Sequence, residues 1–431
     1  MRSQIRELFA TRRPERLALL VGLLTGFLGV ALAANELLDS PQLDYHAYYF
    51  TGRAVLDGRE FVGTAIHDGT FLTVKEYVYP PVTGPVFAPY GLFPRWEVGY
   101  VLNIALLAAT FYAVGRITIQ YIERHGGSLE RTDRLLILGF TLLSGHTVLG
   151  LYRGNVDPII LLLILGGFLA VERGQETTGG TLWAVAALFK LFPAALGLWL
   201  LYRRAYKAVA AALVTGVGGM ALGVAVFGVD AHVRFFDFLL NERSRQGAFE
   251  GGLDPEVTWI TLRRPLSQLL ALSGNQLILV SAVIMAPVVA FAYYEAETPL
   301  DRTVAFFVTM LVLLITIVPS TLNYVIYLYF PLVALVYLVE DRRTKSLLVA
   351  GLVLVSLPLY PQHVEMLVTA TPLPPGAVDA ILGVVRAVLS YVSIPLVGFL
   401  TLLAGCLRYL RLPAPDQQPV TDPEPDVDPG P

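Results

Sequence analysis

Charge is scarce in this chain, and cysteine nearly absent. Of 431 residues, 15% are charged and one is cysteine, against roughly 25% charge in a soluble domain. The lone Cys406 excludes an internal disulfide framework and a cysteine-built metal site; its place in an apolar run makes it filler in the last span. Five of the six histidines, His46, His67, His146, His232 and His363, stand far apart, without a ligand spacing such as His-Glu-x-x-His. No metal and no cofactor is expected. No basic patch points to nucleic acid. Neither a Walker motif nor a Gly-x-Gly-x-x-Gly after a strand points to nucleotide hydrolysis. A repeat between halves, which would flag a transporter, is not visible.

What the chain has is apolar length. Hydrophobic residues make up 55% of it, in runs that recur from end to end, so it reads as an all-α, polytopic helical membrane protein. Arg2, Arg6, Arg12, Arg13 and Arg16 precede the first span, 17–34, and put the N-terminus in the cytoplasm. That span ends in Ala31-Leu32-Ala33-Ala34, which resembles a signal-peptidase site; an uncleaved anchor is the preferred reading. A long polar loop, 35–78, then lies outside. Prolines at 80 and 81 can start a helix but not continue one, so 80–93 reads as a short second span, with a re-entrant segment as the alternative. Further spans are expected at 94–115, 134–151, 157–171, 181–201, 208–229, 276–294, 303–318, 324–339 and 347–359, with a last one ending near Cys406. Counted at ~20 residues each, this gives about twelve, both termini cytoplasmic. The transmembrane domain is 1–411; the Pro- and Asp-rich 412–431 is a disordered cytoplasmic tail.

A few polar residues stand out against this background. Asp44 lies just beyond the first anchor, in Leu43-Asp44-Tyr45-His46-Ala47-Tyr48-Tyr49. A carboxylate at the lipid–water boundary can act as general base on an acceptor hydroxyl; it can equally cap a helix. Tyr45, Tyr48 and Tyr49 suit an interface belt or a sugar platform. Lys190 falls nearly halfway along 181–201, where a lysine costs roughly 2.5–3.5 kcal/mol on insertion scales, and Pro193 behind it disrupts the helix. It is either a phosphate contact or a snorkelling or internally paired lysine. Arg153, Asn155 and Asp157 read as an ordinary hairpin, Asn155 after Gly154 suiting a tight turn. Arg263 and Arg264, in the second outer segment 230–273, can clamp an anionic headgroup or form a solvated pair.

Taken in order, Asp44-Tyr45 through Gly58, Tyr79-Pro80-Pro81, Asn103, Gly154-Asn155, Lys190-x-x-Pro193 and Arg203-Arg204 resemble glycosyltransferase family 87, over roughly 20–345. These are polytopic enzymes of the GT-C class, similar to polyprenol-phosphate-mannose-dependent mannosyltransferases. The resemblance implies a polyprenyl- or dolichyl-phosphate sugar as donor and a lipid, glycan or protein as acceptor, with Asp44 as base. It puts Asn155 and Lys190 near the active cavity; Tyr45, Tyr79, Arg263, Arg264 and Asn323 are the further candidates for substrate binding. Asn155 stands where the family usually has glutamine, and Asn323 where it often has histidine. One carboxylate suffices for such chemistry: phosphate leaves without protonation, unlike the alkoxide of glycoside hydrolysis, which needs two. It does need positive charge as it departs. The competing reading is a lipid-linked-sugar flippase or transporter, which needs no base at Asp44.

Overall fold

The computed structural model describes residues 14–39, 43–62, 76–242, 246–294, 296–318, 321–357 and 359–412. The expected disordered tail, the arginines before Pro14, and His67 lie outside these residues. Among the described residues every element is helical, apart from one isolated bridge between Val62 and Tyr77. The helices are α1 (Pro14–Asp39), α2 (Asp44–Leu56), α3 (Ala88–Gly91), α4 (Trp96–Arg124), α5 (Arg131–Leu143), α6 (Gly145–Arg153), α7 (Asp157–Glu172), α8 (Glu176–Phe189) and α9 (Gly197–Tyr202). They continue as α10 (Tyr206–Asp237), α11 (Arg263–Leu269), α12 (Gly274–Tyr294), α13 (Pro299–Thr316), α14 (Tyr329–Leu338), α15 (Arg342–Val355), α16 (Pro361–Thr369), α17 (Pro375–Tyr391) and α18 (Ile394–Leu410).

Among the described residues, five helices are long and apolar enough to cross a membrane, or six if the bent pair α17–α18 is one span. The expected twelve are not reached on that measure, because several apolar stretches are built as short or broken helices. Two departures shape the site. The stretch 80–93 is not a span: it forms a 3-10 turn, Pro81–Phe87, and then the four-residue α3. Pro81, Pro85 and Pro89 withhold backbone donors and prevent a longer α-helix. The segment folds back against α2, where a Cβ on Gly91 would meet the Arg53 nitrogen at 2.5 Å. The stretch is thus two short helical segments turned back on α2, not one continuous helix.

The second departure is 181–201. Expected as one crossing, it is two legs. α8 ends at Phe189, Lys190 is extended (φ −138°, ψ 128°), and a 3-10 turn over Phe192–Leu196 leads into α9. Both legs start from one end of the bundle: Glu176 at the start of α8 accepts from the Lys207 backbone after α9 at 3.1 Å, and Arg203 faces Glu172 at 3.7 Å. Lys190 is the apex of this hairpin.

Side-chain bonds identify the two ends of the bundle. At one, Arg16 of α1 donates to Asp133 at 2.7 and 2.9 Å and to Glu130 at 2.7 Å; Arg302 meets Glu172 at 2.7 Å and Arg408 meets Asp341 at 3.2 Å. At the other, Tyr100 donates to the Tyr152 carbonyl at 2.6 Å and Asn103 to that of Gly154 at 2.8 Å. α4 runs between them, from Trp96, whose ring lies 4.6 Å from that of His46, to Arg124. The core is aromatic where α7, α8 and α13 meet: Phe168 stacks on Phe306 at 4.4 Å, and Trp183 lies parallel to the same ring. The outer face of α10, by contrast, leaves Leu213, Val214, Val217 and Leu222 exposed, as a lipid-facing helix does.

Candidate active site

The site begins with a turn. Gly154 ends α6 in the left-handed region (φ 65°), which glycine adopts without steric cost. A Cβ there would meet Tyr45 Cβ at 3.0 Å, Asn103 Nδ2 at 3.1 Å and Tyr100 Cε2 at 3.2 Å. The turn is thus pressed between α2 and α4. Asn103 is held in turn by the Tyr90 hydroxyl, at 2.7 Å. Past the turn, the side-chain carbonyl of Asn155 accepts from the Asp157 backbone at 3.2 Å and starts α7, with Asp157 its first residue.

Asp157 is 1% exposed, yet both its oxygens are satisfied. Tyr327 donates to Oδ1 at 2.9 Å, Asn323 donates to Oδ2 at 3.2 Å, and the Lys190 ammonium pairs with Oδ1. Lys190 also donates to the Tyr324 hydroxyl at 3.1 Å and lies 4.3 Å over that ring. One carboxylate and one ammonium thereby tie α7, the tip of the α8–α9 hairpin and the 3-10 turn Leu322–Leu328 into one knot. Of the readings open for Lys190, internal pairing is what the structure contains. Asp157 is its partner, and it is no ordinary hairpin residue.

The knot continues towards α2. Tyr48 and Tyr79 share a hydrogen bond of 2.8 Å, and the Val156 backbone donates to Tyr48 at 3.3 Å. Asp44 is the first residue of α2, with Leu43 in the cap position; Tyr48 lies one turn on, on the same face. The charges of Asp44, Asp157 and Lys190 all act on the Tyr79 hydroxyl, and both aspartates on that of Tyr48. Asp44 itself is half-buried.

The structure therefore gathers Asp44, Tyr79, Asn155, Lys190 and Asn323, four of them joined through Asp157 and Tyr48, two residues the sequence reading named but did not place among the substrate contacts. A buried lysine requires a counter-ion, and that requirement was the available signal for Asp157. Tyr45 is nearby but packs: its ring lies 5.2 Å from Tyr90 and 5.6 Å from Tyr100. Arg263 and Arg264 sit apart, in the capping element around α11. Arg264 is buried and directs its guanidinium to the carbonyls of Leu389 (2.9 Å), Asp254 (3.4 Å) and Val257. Arg263 lies 4.3 Å over Phe249, is 3% exposed, and has no carboxylate partner among the described residues. α11 is fixed to the site's end of the bundle by the Leu262 backbone, which donates to the Ile315 carbonyl at 2.8 Å. Among the described residues no cluster of three metal-ligating side chains occurs.

A helical chain with several apolar spans, a carboxylate heading α2 and a buried lysine–aspartate knot beside it fits a membrane-embedded transferase. The model of glycosyltransferase family 87 matches residues 77–321, more than half of the chain, and the chain belongs to that family. It is 28% identical over 251 residues to the polyprenol-phosphate-mannose-dependent alpha-(1-2)-phosphatidylinositol pentamannoside mannosyltransferase of Mycolicibacterium smegmatis, an alignment covering 56% of this chain and 57% of the relative. The chain thus spans little more than half the length of that protein. The family match takes in Tyr79, Asn155, Asp157, Lys190 and both α11 arginines; Asp44 and Asn323 lie outside it.

Proposed function

We propose that the chain transfers a hexose, mannose first, from a polyprenyl- or dolichyl-phosphate carrier to an acceptor hydroxyl on the outer face of the membrane. The observation that carries this reading is the convergence of Asp44, Tyr48, Tyr79 and the Lys190–Asp157 pair at one end of the bundle, in a chain of family 87. The carrier tail lies among the spans, with its phosphate at the site and the sugar beneath α2. Asp44 takes the proton of the acceptor hydroxyl, the acceptor oxygen bonds to the anomeric carbon, and the carbon–oxygen bond to phosphate breaks. Its electron pair leaves with the phosphate, and the anomeric centre inverts. General-base catalysis contributes about 10²–10⁴-fold. Lys190 supplies positive charge to the departing phosphate, and Arg264 holds α11 in place. The basic stretches after α4 and α9 support a cytoplasmic Arg16 end.

The test is to incubate membranes holding the full chain with labelled polyprenyl-phosphate sugars and identify what becomes labelled. Asp44→Asn should lower transfer by at least about 10²-fold while expression is retained. Near-normal transfer by that variant removes Asp44 from the chemistry. Carrier movement across the bilayer without any sugar transfer would favour the flippase reading instead.

A further inference from the structure

Lys190 is not an open cation waiting for an anion. Its ammonium is already paired with a carboxylate that is 1% exposed and fixed by two further donors, Tyr327 at 2.9 Å and Asn323 at 3.2 Å. A phosphate that reaches Lys190 therefore meets a neutral pair. Resting on the carrier-phosphate reading above, we infer that Asp157 is a positioning residue that weakens the hold of Lys190 on the spent carrier, and so limits product inhibition.

Charge on the phosphate changes during the reaction. The donor is a phosphodiester with one negative charge. When its bond to the sugar breaks, the electron pair stays on the phosphate oxygen, and the acceptor's proton goes to Asp44. What remains is a phosphomonoester, which carries about −1.5 to −2 near neutral pH. Coulomb attraction scales with charge, so an unpaired lysine at this poorly solvated position would grip the spent carrier harder than the fresh donor. The enzyme would then stall on its own product. Asp157 repels both phosphates, the product about twice as strongly as the donor. The carboxylate thus takes more affinity from the species that has to leave.

Kinetics on the full chain in nanodiscs test this, with polyprenyl monophosphate added as inhibitor. Asp157→Asn removes the negative charge and should tighten inhibition by about the square of the change in donor KM, because twice the charge doubles the free-energy shift. An improvement of about threefold in KM would accompany about tenfold in the inhibition constant on that scaling. Lys190→Met removes the positive charge and should move both constants the opposite way in the same proportion; it serves alone if Asp157→Asn does not fold. A merely structural Asp157 would move both constants equally, or lower kcat alone, and either result overturns the inference. Native membranes that transfer no sugar from any polyprenyl-phosphate donor would overturn the reading beneath it, and this with it. Native transfer with equal shifts in the two constants overturns only the role given to Asp157.

Discussion

Replacing Gly154 by alanine tests whether the turn is the mould for the site. Two costs separate cleanly there. The residue sits at φ 65°, where a side chain costs about 1–2 kcal/mol. The new methyl would also stand 3.0–3.2 Å from Tyr45, Asn103 and Tyr100, and overpacking of that kind costs about 1–3 kcal/mol. Together these give about 2–5 kcal/mol. Gly174 provides the control: it has φ 75° with nothing within 4 Å of its Cβ position, so alanine there carries only the conformational part, about 1–2 kcal/mol. Thermal midpoints of the three proteins in one detergent should fall in the order native, Gly174→Ala, Gly154→Ala. Transfer should drop only in the last, because the turn aims Asn155 and Asp157. A Gly154→Ala protein as stable as Gly174→Ala would show that the turn is not under pressure, and the idea that α2 and α4 shape the site would fail.

Other outcomes follow from the same contacts. Asp133→Ala strips buried Arg16 of its main partner and Tyr337 of an acceptor at 3.2 Å; with Glu130 still in reach, the loss should be near the low end of about 3–5 kcal/mol, read as a lowered midpoint without change in donor KM. Tyr48→Phe breaks the link between Tyr79 and the Val156 backbone, worth about 1 kcal/mol, and should slow transfer several-fold with expression intact; an unchanged rate would show that the link is idle. Arg264→Lys cannot reproduce a planar fork onto three carbonyls: it should lower stability and leave product inhibition alone. EDTA should not affect transfer; activity lost to it and restored by Mn²⁺ or Mg²⁺ would place a metal in the mechanism.

Much of the helical plan was legible because hydropathy reports what each stretch prefers to touch. It reports nothing about direction of travel. The run 181–201 is apolar throughout, so it read as a crossing. Only the extended backbone at Lys190 and the proximity of Glu176 to Lys207 reveal a hairpin. The prolines at 80, 81, 85 and 89 were visible, but whether they shorten a span or turn it back depends on the packing of α2 against α3 at Gly52 and Gly91. Lys190 stood out by being costly. Its partner did not, because Asp157 lies 33 positions earlier and looked like any acid beside a turn. Asp44 was conspicuous by position, whereas the link from its helix to Asp157 runs through Tyr48, one of several tyrosines in that stretch.

The knot also has a polarity. Asp157 opens α7 and Lys190 closes α8. Unpaired backbone N–H groups give a helix start a partial positive charge, and free carbonyls give a helix end a partial negative one. Each ion thus sits on the helix terminus that favours its sign, and exchanging the two residues would set both charges against their helices. A chain carrying Asp157→Lys together with Lys190→Asp keeps the salt bridge on paper, but loses about 0.3–1 kcal/mol at each terminus and then opposes the field by a similar amount.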